Sequence, residues 1–156
     1  MAKNNSPVLG VDLTDTPSTN DRGHTLGQRV SGSDNTEWVF VQANGAITQY
    51  DTVGIDEDFQ AAALTKAMAD DGWMIGFAQV AFADNDYGWV ATKGTNIRAR
   101  GAAACAADVP LYTTSTAGVL DDTSASQTKI DGVVFIATTS ATNGEIIATF
   151  PRSSSF

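Results

Sequence analysis

With 156 residues, 42% of them hydrophobic, the chain is sized to fold as one domain and to bury about two-thirds of its unfolded surface. Eighteen Asp and Glu against nine Lys and Arg leave a net charge of −9, and the cations form no patch in the sequence. Phosphate contacts need Lys and Arg, so this balance argues against nucleic acid and against anionic membrane surfaces.

Residues 1–36 are polar, carry Pro7 and Pro17, and are punctuated by Gly10, Gly23, Gly27 and Gly32. No secretion signal is visible there, because no apolar stretch follows Lys3. Two apolar patches interrupt the segment. The first, Val8-Leu9-Gly10-Val11-Asp12-Leu13, alternates as an extended segment would, and the second is Leu26-Gly27-Gln28-Arg29-Val30. The segment reads either as a disordered tail or as an N-terminal arm that gains order by laying those apolar residues on a neighbouring chain.

Residues 37–151 read as a β domain. Trp38 to Ala43 is a strand, Asn44-Gly45 a two-residue turn signal, and Ala46 to Tyr50 a returning strand, so a hairpin is predicted. Asp58 to Ala69 is the one fair helix candidate, with good helix formers around Ala61, Leu64 and Ala67. The centre of the chain is Asp70 to Val90, an apolar run between the turn signals Asp71-Gly72 and Asp84 to Gly88. Trp89 to Lys93 follows, then Gly94, then the half-exposed strand Thr95 to Arg100. Asp108 to Thr113 is edge-like because Pro110 cannot donate to a ladder. Lys129–Thr139 and Glu145–Phe150 form a last pair, Pro151 ends the ladder, and residues 152–156 are a loose C-terminal tail.

Two halves of the chain resemble each other. Trp38-Val39, Gly45, Asp51, Thr65-Lys66 and Asp71-Gly72 run in the same order as Trp89-Val90, Gly94, Asp108, Thr128-Lys129 and Asp131-Gly132. Two such strand-turn-strand units, sharing one sheet or facing each other, lead to a mainly β fold: a compact β-barrel or β-sandwich with at most one short helix.

A search for chemistry finds none. The sole histidine, His24, lies in the segment least suited to hold catalytic geometry. Cys105, the only cysteine, allows no internal disulfide and reads as a buried small hydrophobe among alanines. The Asp84-Asn85-Asp86 cluster begins like a calcium loop, but Gly88 comes one residue early and Thr95 stands where a bidentate Glu belongs. The acidic clusters therefore read as turn carboxylates. Trp38, Trp73 and Trp89 sit in strand-like runs and read as core. No catalytic residue, metal ligand or cofactor site is expected. A hydrolase with carboxylates far apart in sequence would need a deep pocket holding two of them.

Several stretches do resemble a known family. Leu26-Gly27-Gln28-Arg29-Val30 with Trp38 to Ala43, Ala62-Ala63-Leu64-Thr65-Lys66, Gly76 to Ala83, Tyr87-Gly88-Trp89-Val90 and Asp108 to Thr114 with Ala117-Gly118-Val119-Leu120 are similar to the capsid decoration, or cement, proteins of tailed bacteriophages. The likeness spans about residues 26 to 150. It implies a non-enzymatic virion protein, made in the host cytoplasm, that binds the outer capsid surface and stabilises the expanded shell. Its partners would be the major capsid protein and itself, as a homotrimer on threefold and quasi-threefold axes, with no nucleic acid and no membrane. The arm residues expected to make capsid or subunit contacts are Val8, Leu9, Val11, Leu13 and Leu26, with Arg29 as an ion-pair donor. The alternative is a virion surface adhesin or head-fibre protein that binds host glycans through aromatic side chains exposed on one face.

Overall fold

The computed structural model describes residues 10–20, 23–32, 34–139 and 143–154. These residues form ten strands and one short helix: β1 (Arg29–Ser31), β2 (Glu37–Ala43), β3 (Thr52–Ile55), β4 (Gln60–Ala63), α1 (Lys66–Asp70), β5 (Met74–Phe77), β6 (Tyr87–Ala99), β7 (Leu111–Thr113), β8 (Leu120–Asp121), β9 (Lys129–Phe135) and β10 (Gly144–Ser153). The chain is mainly β, as its β-branched and turn-forming composition predicts.

The strands close on themselves. Strand order β2-β4-β3-β5-β6 returns to β2 through a long antiparallel ladder from Trp38↔Ala91 to Gln42↔Tyr87, making a five-stranded barrel. The sheet continues from β6 through β10, β9 and β7 to β8. There Leu120 forms a parallel bridge to Gly101, just past the end of β6. Its amide donates to the Arg100 carbonyl at 3.0 Å, and its own carbonyl accepts from Ala102 at 2.8 Å. A second ring, β6-β8-β7-β9-β10, is thereby closed by this one bridge.

The two rings repeat one topology. Adding four to each strand of the first ring gives its counterpart in the second. Each ring closes with one parallel contact, β2 with β4 and Gly101 with Leu120, and is otherwise antiparallel. Of the repeated landmarks, Trp38-Val39 on β2 and Trp89-Val90 on β6 fall on equivalent strands, whereas Gly45 lies past β2 but Gly94 within β6, and Asp71-Gly72 precedes β5 but Asp131-Gly132 lies within β9. Strand β6 belongs to both rings. Its first half pairs with β2, and its second half pairs with β10 from Lys93↔Thr149 to Ala99↔Gly144. The changeover is at Gly94, whose φ of 144° and close approach to Thr36 leave no room for a side chain.

Side-chain alternation divides the core. On β2, Val39 and Val41 point into the first barrel with Ile47, Val53, Ile55 and Val90. Trp38 and Phe40 point the other way, into a cluster shared with Trp89 and the second-ring residues Ile97, Leu111, Ile130, Phe135 and Ile146. A strand buried on both faces reads as a continuous apolar run, which is why Trp38 to Val41 shows no polar alternation.

The two rings are latched together. Asp51, buried beside β3, accepts from Arg100 Nη1 at 2.5 Å and from the Thr48 amide at 2.9 Å. The Arg100 amide donates to the Tyr50 carbonyl, and Gly118 exchanges backbone bonds with Thr52 and Leu64. Gly118 has φ +78°, and a Cβ there would stand 2.6 Å from Asp51 Cγ. Thr128 at the start of β9 donates its hydroxyl to Asp70 at the end of α1.

The structure corrects four local expectations. Residues 46–50 do not pair with β2; Gly45 donates to Asp84, and Asn44 to the Ala61 carbonyl, so long-range partners displace the predicted hairpin. The helix expected over residues 58–69 survives only as α1, capped by the Thr65 hydroxyl. Gln60 to Ala63 is instead a strand, because burial of Ala61 in the barrel outweighs the helix propensity of alanine. Gly94 does not divide β6. Pro151 does not end β10, which runs on to Ser153 past a register shift between Ala148 and Arg152, where a proline is tolerated.

The expected boundary of the arm moves as well. Residues 29–31 are an antiparallel strand of the sheet, paired from Arg29↔Val39 to Ser31↔Glu37. Further upstream, the Pro17 carbonyl accepts from the Tyr87 amide at 2.8 Å. Extended backbone laid against a sheet finds its apolar contacts within its own chain.

Candidate functional site

Each candidate from the sequence has a place in this frame. Val11, Leu13 and Leu26 are half-buried and pack against the shared core cluster of their own chain. His24 joins them: its ring meets Phe40 at 5.1 Å and Trp89 at 5.2 Å, both edge-on. This leading segment therefore covers the outer face of β2 and β6, and the contact side of Val11, Leu13 and Leu26 is occupied. Val8 and Leu9 lie outside the described residues. Arg29 stands apart from the others, exposed on β1, with Nη2 3.6 Å from Met74 Sδ and its guanidinium carbon 6.0 Å from the Phe150 ring centre.

The titratable clusters serve the fold. Asp84 accepts from the Gly45 amide and Asp86 from the Ala83 amide, both at 2.8 Å, while Asp56 accepts from the Asp58 and Gln60 amides. These are turn carboxylates in their ordinary use. The Thr36 hydroxyl, with Asn96 assisting, holds the Asp34 carboxyl below the usual carboxylate range. Lys66 and the Thr128 hydroxyl do the same for Asp70. Lys129 is held above the usual lysine range by Asp131, 2.7 Å away.

Among the described residues one group has metal-ligand types within reach of one another: Cys105, Asp121 and Asp122. Asp122 is committed to the Ala106 amide and Asp121 to the Asp122 amide, each at 2.8 Å. Burial, reinforced by the charges of Asp122 and Asp121, pushes the Cys105 thiol up to about 11. A metal needs the thiolate, so the chemistry of this trio opposes binding.

The surface is more informative. The large hydrophobic residues exposed among the described residues are Ile136, Ile147 and Phe150, and all three lie on or just beyond β9 and β10. Ile147 is register partner to Val134, and Ile136 shares their outward face. Beside them runs a groove of about 380 Å³ lined by Val109, Pro110, Val134 and Ile147. Each isoleucine is 41% exposed, whereas Trp38 and Trp89 are buried and Trp73 half-buried. The sequence carries a signal for this face: in Ile146-Ile147, adjacent strand residues must point to opposite sides, so one of them faces outward.

Set against protein-family models, curated proteins and solved structures, the chain gives no significant match to any of the three.

Proposed function

We propose that this chain is a structural capsid decoration protein of a tailed bacteriophage, binding the outer face of the expanded shell and stabilising it, without catalysis. The observation that carries the reading is the outward apolar face of the second ring, with Ile136, Val134 and Ile147 beside the Val109–Pro110 groove. Contiguous exposed apolar surface marks an interaction site more often than a catalytic one. The family resemblance over residues 26–150 supplies the identity of the partner, the major capsid protein, and the homotrimeric arrangement at threefold and quasi-threefold axes. Many identical weak contacts around a closed shell add through multivalency, and binding the closed form stabilises it by mass action. The rigid double ring suits this task. For the glycan-binding alternative, buried Trp38 and Trp89 offer no surface, which leaves Phe150 and half-buried Trp73 as its aromatic candidates.

Full-length protein added to undecorated, expanded shells of the phage that encodes it should raise the temperature at which those shells disrupt. Ile147→Ser, altering an exposed side chain, should abolish that protection and leave the protein's own melting unchanged. Intact protein that neither co-sediments with such shells nor protects them would refute the reading.

A further inference from the structure

We propose that the groove around Phe150 is a docking site for an acidic segment of a partner protein, one that sets a carboxylate beside an apolar side chain. The inference goes beyond shell decoration and holds whichever protein supplies the segment.

The groove, about 390 Å³, lies where β1, β5, β6 and β10 converge, and is lined by Arg29, Trp73, Met74, Thr92, Phe150 and Arg152. Phe150 is 45% exposed, yet its backbone has φ +47°, a conformation costly for an aromatic L-residue. It occupies the register shift of β10, opposite Gly132 at φ +82°; a Cβ on Gly132 would stand 2.9 Å from the Thr149 carbonyl oxygen. A bulge of this kind re-aims a side chain, and here it turns the ring away from the core. Strain that leaves an aromatic ring nearly half exposed and outside the core adds little to core packing, so it points to a surface use.

Charge identifies the occupant. Three of the nine cations of this acidic chain gather at this spot. The Lys93 ammonium lies 5.6 Å from the Phe150 ring centre and the Arg29 guanidinium 6.0 Å from it, while Arg152 lines the same groove. Glu37 neutralises Lys93 at 3.1 Å. Arg29 and Arg152 have no ion pair among the described residues. Two unpaired guanidinium groups favour a carboxylate, which takes charge-assisted and bidentate hydrogen bonds from arginine. Phe150, Trp73 and Met74 offer an aromatic and thioether surface for the neighbouring apolar side chain. A polyanion such as nucleic acid would meet the net charge of −9 over the rest of the surface.

The test is selection of random displayed peptides on the immobilised full-length protein. Recovered peptides should pair Asp or Glu with an adjacent aromatic residue or leucine. Synthetic copies of them should change the fluorescence of half-buried Trp73, and replacing their acid by its amide should weaken binding about tenfold. Arg152→Gln and Phe150→Asn should each weaken it similarly. Asparagine tolerates the left-handed backbone at this position, so the second variant removes the ring without adding strain. Ile147→Ser should leave peptide binding intact, which separates this site from the apolar face on the second ring. Recovery of no peptides, recovery of peptides without acidic enrichment, or equal binding by the folded variants would overturn the proposal. So would a self-association, seen by sedimentation, that Arg152→Gln abolishes, because it would assign the groove to a second copy.

Discussion

The first ring and the second share a plan but differ in how they are sealed. The first closes through the long ladder between β2 and β6, although β5 meets β6 only at Phe77↔Ala91, and its interior is filled by Val39, Val41, Val53, Ile55 and Val90. The second closes through the single bridge between Gly101 and Leu120, with β7 and β8 only three and two residues long. The exposed large hydrophobic residues among the described ones, Ile136, Ile147 and Phe150, all belong to this second half. One topology, used twice, has thus been divided between two tasks. The first ring supplies cohesion, and the second presents surface.

The sharpest way to break that comparison is to remove a side chain from the wall both rings use. Trp89→Ala on β6 should cost about 3–5 kcal/mol, as large aromatic truncations in cores do. Urea denaturation followed by far-UV circular dichroism should show one transition moved to lower urea. Two separate transitions would mean that the rings are independent. Next in size is the latch between them. Arg100→Ala leaves the Asp51 carboxylate buried with only the Thr48 amide, at a cost of about 2–3 kcal/mol, less than for a fully buried pair because Arg100 is a quarter exposed. Gly118→Ala should be similarly damaging, read by thermal melting.

Cys105 measures the second ring directly. Its thiol should resist alkylation in the native state and react when the Gly101–Leu120 seam opens. Labelling should therefore run faster than global unfolding, because the weaker closure gives way first. Its raised pKa also predicts a pH effect. The folded state keeps the proton up to about 11, while the unfolded chain releases it near the ordinary value of 9.0. The unfolded state then binds fewer protons in that interval, so stability should fall as pH rises from about 9 to about 11 and level off above it. Cys105→Ala should remove that slope in denaturation curves recorded across the interval.

A smaller effect tests the leading segment. His24→Ala should cost about 1 kcal/mol through its edge contacts with Phe40 and Trp89, seen as a modest fall in melting temperature. No effect would mean that the His24 ring does not hold the leading segment to the body. Smallest of all, Ile136→Ser and Ile147→Ser should each change stability by no more than about 0.5 kcal/mol, as surface replacements do.

Much of this architecture was legible in the residues. The doubled tryptophan landmarks mark β2 and β6 because those strands stand at the same place in each ring. What the sequence concealed was pairing. Asn44-Gly45 carries hairpin chemistry, yet β2 takes β4, β6 and β1 as neighbours instead, and no local signal records that choice. Alanine-rich β4 looked helical because its strand character comes from the barrel wall around Ala61. Of the candidate site residues, Val11, Leu13 and Leu26 read in the sequence as apolar contacts to a capsid or sister subunit, and in the fold they pack against the core cluster of their own chain. Arg29 reads in the sequence as an ion-pair donor to a capsid or sister subunit, but its companions in the groove, Phe150 and Arg152, lie far along the sequence. A bulge and a positive φ bring them together, and neither is written in composition or periodicity.

Because β6 serves as a wall of both rings, no single cut in the chain can release the two rings as separate closed units. A fragment ending before residue 87 lacks the stave that closes its circle, and one beginning after residue 99 lacks the stave on which β10 lies. A shape built in steps of four strands, the second step borrowing the last stave of the first, ties the two halves into one unit.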